Sequence, residues 1–495
     1  MKAINRWPPR PSRMPAWLAL LIAITLAGCT SLVPPLKAPE IETPSAFKNA
    51  ADLPATERGQ WKVAEPADKL PRGQWWRVFG DPQLDALVDE ALRNNQNLAA
   101  IVARVKQARS LIDVNRADGQ PQVNTGFGPS RSRLSPASQG LPADATIRPA
   151  TLWRAPVTLS YEVDLFGRIG ANTAAAGFDA EAAQAQLESL RLSLAADVAT
   201  AWYQLREIDA EREVLARSIE LRRDWVGMLE RRLSRGDIAE LDVARSRAEL
   251  ATAQSDLEGL AAARARQENA LAVLTGKPPT AVVIAALPGE AFLNSALPAV
   301  PAGLPSALLE RRPDIAAAQR TMAAANQRIG VAKTAFFPSL KLTGSAGFES
   351  NELGDLFKWG SRTWLLGPII GTALTVPLFD GGRNRANLAR SEAALEESVA
   401  TYRQQVLVAF GDVEDSLAGL RSLSAQTRAQ ADALAALQLA SRLAQKRYDA
   451  GASSYFEVID AQRTLLTTQR ASVQLQGAKA VGMVALIRAL GGGWN

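Results

Sequence analysis

Residues 157–165 read VTLSYEVDL, and apolar residues alternate with polar ones along the whole segment. A period of two residues predicts a β-strand with one apolar and one polar face. A shorter example, LKLTGS, begins at residue 340. Because roughly nine to eleven residues suffice for a tilted transmembrane strand, such segments can cross a bilayer without a transmembrane helix. The alternative is a soluble hairpin packed on helices.

Long proline-free stretches follow each strand region. Pro156 and Pro278 are separated by 121 residues without proline, and residues 378–495 contain none. Apolar residues recur there at the seven-residue spacing of coiled-coil seams. They include Leu187, Leu194, Ala201, Ile208 and Leu215 in the first stretch and Leu395, Val399, Tyr402, Val406, Ala409 and Val413 in the second. A helix over 171–235 would be roughly 98 Å long, far longer than a globular core needs.

An internal repeat relates the two halves of the chain. RLSRG at 232–236 aligns with RYDAG at 447–451, and similar matches occur at offsets of 213 and 217 residues. Each half therefore reads as helix, strand hairpin, very long helix, glycine turn and helix. Gly236 and Gly451 are the predicted turns of the long hairpins.

These matches define the predicted domains. The first repeat covers 75–290, with a strand hairpin near 122–166 and a coiled-coil hairpin over 171–275. The second covers 304–495, with a strand hairpin near 339–379 and a coiled-coil hairpin over 384–490.

The N-terminal region predicts a lipoprotein. Residues 1–28 combine four basic residues with a short apolar run, which is typical of a secretory signal peptide. LAGC at 26–29 resembles the lipobox of bacterial lipoproteins, in which the cysteine is acylated and becomes the mature N-terminus. Thr30 is not the aspartate of inner-membrane retention, so the resemblance implies an outer-membrane anchor, followed by a proline-rich tether over 29–74. The alternative is a plain signal peptide with an incidental cysteine.

The composition excludes most enzyme chemistry. The 495 residues contain no histidine and one cysteine, which rules out histidine-based acid–base catalysis, Cys/His zinc sites and internal disulfides. The formal charge is +6, but the signal carries four of the basic residues, leaving 52 basic against 50 acidic residues. We therefore expect no enzyme, no nucleic-acid partner, no metal and no cofactor beyond a covalent lipid on Cys29.

Four strands per chain cannot close a membrane barrel. Such barrels begin at about eight strands, and an open edge in lipid leaves backbone groups unpaired. Two copies would supply eight strands and three would supply twelve, and periodicity does not choose between them. A transmembrane helix over 363–379 is rejected, because prolines and glycines interrupt this short segment.

Four motifs together resemble the outer membrane factors, the TolC-like and OprM-like channels of tripartite efflux pumps, in their nodulation-type lipoprotein branch. They are WWRVFGDPQL at 75–84, LPSALLERRPDI at 304–315, VPLFDGGR at 376–383, and RYDAG at 447–451 with VIDAQR at 458–463. The resemblance implies a homotrimer with one twelve-stranded outer-membrane β-barrel, continued by a long α-helical coiled-coil barrel in the periplasm. It also implies a passive export duct whose partners are a periplasmic adaptor and an inner-membrane transporter of the RND type.

The resemblance also implies a periplasmic gate. Glu457 and Asp460 match acids that line the closed tip in TolC-like proteins, where six carboxylates in a trimer would favour cations. Alternatively, acids in a first helical turn simply complement the helix dipole. Tyr448 and Asp242 match a gate tyrosine and its acid partner, while Ser453 replaces a salt-bridging arginine.

A function of another class stays open at this point. The chain could be a lipid-anchored periplasmic coiled-coil scaffold without a pore. The exported substrate cannot be read from the sequence. The loops around 131–154 and 350–367 are expected to face outside the cell.

Overall fold

The computed structural model describes residues 32–37, 39, 48, 73–293, 311–366 and 374–492. The predicted signal peptide, Cys29 and most of the predicted tether lie outside these residues. The chain divides into two compact units. The sheet unit takes its described residues from Met1–Pro39, Lys106–Glu181 and Arg320–Ala400, and the helical unit takes them from Glu40–Val105, Ala182–Gln319 and Thr401–Asn495.

The described residues form eight α-helices. In the first half they are α1 (Pro82–Asn94), α2 (Gln96–Ala117), α3 (Arg168–Ser234), α4 (Glu240–Leu274) and α5 (Gly289–Leu293). In the second half they are α6 (Pro313–Thr334), α7 (Arg383–Asp449) and α8 (Tyr455–Ala489). Helices α2 and α6 each have 22 residues, α3 and α7 each have 67, and α4 and α8 each have 35. Both halves therefore carry helices of equal length in the same order.

Six strands in the described part of the sheet unit form one antiparallel sheet. They are β1 (Gln122–Thr125), β2 (Gly128–Ser132), β3 (Ala150–Val163), β4 (Ser339–Ser350), β5 (Arg362–Leu366) and β6 (Leu374–Thr375). Strands β1 and β2 pair with successive parts of β3 in one register, and β5 and β6 both pair with β4. The six strands thus lie along four lines. The centre is the β3–β4 ladder of eleven pairs, from Trp153↔Ser350 to Val163↔Leu340.

The strand predicted over 157–165 ends earlier than the alternation suggests. Strand β3 stops at Val163, because the Asp164 carboxylate leaves the ladder to cap α3. Its two oxygens accept hydrogen bonds from the backbone amides of Ile169 and Gly170, at 3.1 and 2.8 Å. A carboxylate in this position satisfies amides that have no partner inside the helix.

The main core of the helical unit is built around Trp202 of α3, which is fully buried. The Trp202 indole N–H donates to Asp81 Oδ2 at 2.7 Å. Asp81 Oδ1 also accepts from the amide of Gln83 at the start of α1, at 2.9 Å. One carboxylate therefore caps α1 and satisfies a buried indole, which explains the aspartate in the WWRVFGDPQL motif.

Across the part of the chain that the structure describes, no helix is both long and apolar enough to cross a membrane.

Candidate functional site

Both long hairpins turn through the same backbone motif. The Gly236 amide donates to the Leu233 carbonyl at 2.9 Å and the next amide donates to the Arg232 carbonyl at 3.0 Å. Gly451 and Ala452 repeat this pattern with the carbonyls of Tyr448 and Arg447. The two glycines have φ values of 78° and 70°. This left-handed position at a helix end favours glycine, since a side chain would be strained there.

Tyr448 lies in the last turn of α7 and is held by the first hairpin. Arg232 Nη1 donates to Tyr448 Oη at 2.7 Å, and the Arg232 guanidinium lies 5.5 Å from the centre of the phenol ring. Burial raises the pKa of Tyr448, an effect that Arg232 opposes and Asp242 reinforces. Tyr448 is therefore a neutral phenol at physiological pH.

The predicted partner of Tyr448 is close but does not bond to it within this chain. Asp242 lies in the first turn of α4 and is half-buried. The hydroxyl of Tyr448 is bonded to Arg232, and Asp242 acts on it only through its charge. Arg232 thus supplies the positive charge near Tyr448 that Ser453 does not. The Ser453 hydroxyl is buried and has no hydrogen-bond partner among the described residues.

An aromatic cluster that was not predicted from the sequence surrounds Tyr448. The Tyr448 ring centre lies 6.0 Å from that of Trp225 on α3 and 5.4 Å from that of Tyr455 on α8. The Tyr455 hydroxyl is buried against the Ser246 hydroxyl of α4 at 3.3 Å. Trp225 lies within the proline-free stretch between Pro156 and Pro278, but the spacing of residues in that stretch does not show its partners on other helices.

The predicted acids lie in the first turns of α8. Glu457 and Asp460 are both exposed. Glu457 forms an ion pair with Arg447 across the turn, at 3.2 Å. Arg447 therefore offsets part of the negative charge that these acids bring to the hairpin tip.

Farther along the hairpins, arginines of α8 bind acids of the first hairpin. Glu249 of α4 binds Arg463 and also accepts from Arg222 of α3 at 2.8 Å. Burial alone would raise the pKa of Glu249, but the hydrogen bonds from Arg463 and Arg222 outweigh it and lower that pKa. Arg470 likewise contacts Glu211 at 2.7 Å and Asp256 at 3.0 Å. The first and second hairpins of one chain are thus joined by charge-assisted hydrogen bonds.

The carboxyl group of Glu207 on α3 is largely shielded from solvent. It faces α8 at Gly477, where an added Cβ would lie 2.1 Å from Glu207 Oε2. Burial, reinforced by the charge of Glu211, raises the pKa of Glu207 to about 7. Glu211 itself is buried and bound by Arg470 and Gln474. Glu207 is therefore the group whose ionisation should make the helical unit sensitive to neutral pH.

We expect Glu207→Gln to stabilise the protein at pH 8 by about 1–2 kcal/mol and to change little at pH 5. The folded-state pKa lies above the unfolded value of 4.5, so the stability of the wild type falls as pH rises between these values. Thermal unfolding measured across this range checks the expectation. Glu220→Gln, at an exposed site on the same helix, is the control. An equal benefit of Glu207→Gln at both pH values would contradict it.

Among the described residues, no group of three or more Cys, Asp or Glu side chains could hold a metal ion. The features that stand out at the hairpin tips are instead two glycine turns, an aromatic cluster and exposed acids. Together they form a helical tip at which the first and second hairpins contact each other.

Comparison with known proteins agrees with this architecture. A family model described as outer membrane efflux protein matches residues 87–277 and 304–492. The chain belongs to the outer membrane efflux protein family, and it is an outer membrane efflux channel that extends into the periplasm.

Several relatives resemble the chain over nearly its whole length. It is 35% identical to the toluene efflux pump outer membrane protein TtgI of Pseudomonas putida, over 97% of this chain and 98% of the relative. It is 34% identical to the pyoverdine export outer membrane protein OpmQ of Pseudomonas aeruginosa, over 92% and 94%. The solved CmeC outer membrane channel of Campylobacter jejuni superposes with a TM-score of 0.81 at 25% identity, over 94% of this chain and 95% of that one.

Proposed function

We propose that three copies of this chain form one passive conduit, the outer-membrane part of a tripartite efflux pump. A periplasmic adaptor and an inner-membrane RND-type transporter would be its partners. The observation that carries the proposal is that, among the described residues, the sheet has two open edges, β1 and β2 on one side and β5 and β6 on the other. Open edges are costly in lipid, so the sheet must close through other copies. Three copies, giving twelve strand lines, follow from the family resemblance.

The register gives this sheet an apolar face. Residues opposite each other in an antiparallel ladder share a face, so the pairs assign one set of side chains to one side. That side carries Val123, Val157, Leu159, Tyr161, Val163, Leu340, Leu342, Ala346, Phe348, Trp364 and Leu366. The other side is mostly polar and carries Asn124, Thr158, Ser160, Glu162, Lys341, Thr343, Ser345 and Thr363. An apolar outside and a polar inside are what a membrane channel needs.

The height of the apolar face supports the same conclusion. From Leu340 to Phe348 the strand rises about 27 Å at about 3.4 Å per residue. A tilt of about 40° leaves about 21 Å along the membrane normal, close to the apolar band of about 25 Å in outer-membrane barrels.

A covalent lipid on Cys29 would anchor the mature chain and would be its only attached group. The support is the lipobox-like sequence together with the position of the following residues. Val33 and Pro34 lie against α6, where the Asn326 side-chain amide donates to the Pro34 carbonyl at 2.8 Å. Gly330 provides the space, since an added Cβ would lie only 2.4 Å from Val33. The start of the tether is thus held on the sheet unit.

The hairpin tips would be the gate of this conduit. Arg232, Tyr448 and the surrounding aromatic cluster connect the second hairpin to the first, so opening the tip requires these contacts to break or slide. Glu457 and Asp460 would line the narrowest part, with Asp242 near Tyr448. The exported substrate is left open, because relatives of nearly equal identity are named for toluene and for pyoverdine.

The native mass of the mature protein in mild detergent, corrected for bound detergent, tests the proposal. Three copies are expected. A stable monomer would mean that the sheet is not a pore wall, and a lipid-anchored scaffold without a pore would replace the channel.

Replacing both Glu457 and Asp460 by alanine should raise single-channel conductance and weaken cation preference. Exposed carboxylates at a constriction attract cations, and smaller side chains widen it. Planar-bilayer recordings with unequal salt on the two sides measure both quantities. The Glu258→Ala and Asp432→Ala double variant removes the same charge elsewhere and serves as the control. Unchanged selectivity would show that these acids do not form the ring.

A further inference from the structure

At the end of the sheet next to the loops around 131–154 and 350–367, the apolar face carries arginines. Arg131 of β2 pairs with Thr151, and Arg362 of β5 pairs with Phe348. Both positions continue the apolar side of the sheet, because Thr151 alternates with Trp153 along β3 and Phe348 pairs with Ala155. We call Arg131 and Arg362 the arginine rim.

Aromatic side chains lie just below and beside this rim. Phe127 and Trp153 stack with ring centres 5.9 Å apart. Trp359 and Trp364 are exposed over 77% and 73% of their surface. Exposed aromatic residues concentrate where the apolar band of a membrane protein meets the headgroups. The arginine rim therefore lies at headgroup level.

The arginines on the two sides of the sheet differ in their interaction partners. On the polar side, Arg154 is neutralised by Glu349 at 3.0 Å. On the apolar side, Arg131 is exposed and its side chain makes no hydrogen bond or ion pair with the described residues. Arg362 uses Nε to bind the Trp359 carbonyl at 2.8 Å, which orients the guanidinium over the Trp359 ring. Its Nη atoms have no partner in the described part of the chain.

We propose that the arginine rim binds the phosphate groups of glycolipids in the outer leaflet. This inference rests on the proposed function, since it requires the sheet to cross the outer membrane. A guanidinium matches a phosphate group with two parallel charge-assisted hydrogen bonds. A closed trimer would present six such arginines around the barrel, each above an apolar surface that the acyl chains of the same lipid cover.

The test compares lipid binding by purified trimers in detergent. The probe is lipid A with both phosphates, and native mass spectrometry counts the molecules retained. The Arg131→Gln and Arg362→Gln double variant should bind about tenfold less than the wild type. Arg154→Gln, the matched change on the opposite face, should bind normally. Lipid A without phosphates should be retained poorly by all three proteins.

Several results would overturn the inference. Equal binding of lipid A by the wild type and the double variant would show that the rim does not recognise phosphate. Complete displacement by millimolar inorganic phosphate would show a site for the free anion, not for a lipid. Trimer mass and channel conductance are recorded on the same samples. A conducting trimer with unchanged binding overturns this inference alone, whereas absence of a trimer overturns the proposed function as well.

Discussion

Arg312→Ala should destabilise the protein by about 3 kcal/mol. Arg312 is buried directly before α6, and its guanidinium connects three helices. It binds both carboxylate oxygens of Asp314 at 3.1 and 2.6 Å, Asp412 of α7 at 2.9 Å and the Ala489 carbonyl at the end of α8 at 3.2 Å. Removing one member of a buried charged network leaves the others without compensation, which typically costs more than a surface ion pair contributes.

Chemical or thermal unfolding of the purified protein measures this loss. Arg312→Lys should recover only part of it, because an ammonium group cannot make the paired contact with Asp314. Arg421→Ala, at an exposed arginine on the same helix as Asp412, is the control and should stay within about 0.5 kcal/mol of the wild type. A loss below about 1 kcal/mol for Arg312→Ala would contradict the expectation.

Gly276→Ala should destabilise the protein by a comparable amount, because the added side chain would clash with neighbouring atoms. Gly276 follows α4 with φ of 73°, and an added Cβ would lie 2.3 Å from the Asn94 carbonyl oxygen and 2.8 Å from its carbon. The neighbouring atoms belong to the backbone at the end of α1, so they cannot swing away as a flexible side chain would. Conformational strain and overpacking together should cost about 3 kcal/mol.

Gly236→Ala separates the two contributions. Gly236 has φ of 78°, but an added Cβ would meet nothing within 4 Å. Its replacement should therefore cost only the strain of the left-handed conformation, about 1 kcal/mol. If thermal unfolding shows equal losses of stability for the two variants, the clash of the added Cβ at Gly276 with Asn94 is relieved at little cost in free energy.

Much of the local structure was predictable from the sequence. The seven-residue apolar spacing indicated the long helix over 171–235, and the structure places α3 at Arg168–Ser234. The alternation over 157–165 indicated the strand but not its end, since Asp164 continues the polar pattern while its carboxylate caps α3. Local periodicity cannot reveal that a polar side chain has left the ladder.

The arrangement of residues at the hairpin tips was predictable only in part. The sequence identified Tyr448, Glu457 and Asp460 near a turn, through the family resemblance. It did not identify Arg232 as the donor to Tyr448, although Arg232 belongs to the repeated RLSRG motif, because 216 residues separate the two. The ion pair of Glu457 with Arg447 likewise depends on how the chain folds back across the turn.

The sequence by itself determined the periods of the helices and strands, the glycine turns and the lack of histidine chemistry. These follow from residue spacing and composition, which act locally or on the whole chain. Only the tertiary structure decided that β3 pairs with β4 across the two halves, which side of the sheet carries Arg131 and Arg362, and which charges join the hairpins. Such pairings depend on packing between residues far apart in sequence, and one-dimensional spacing carries no information about them.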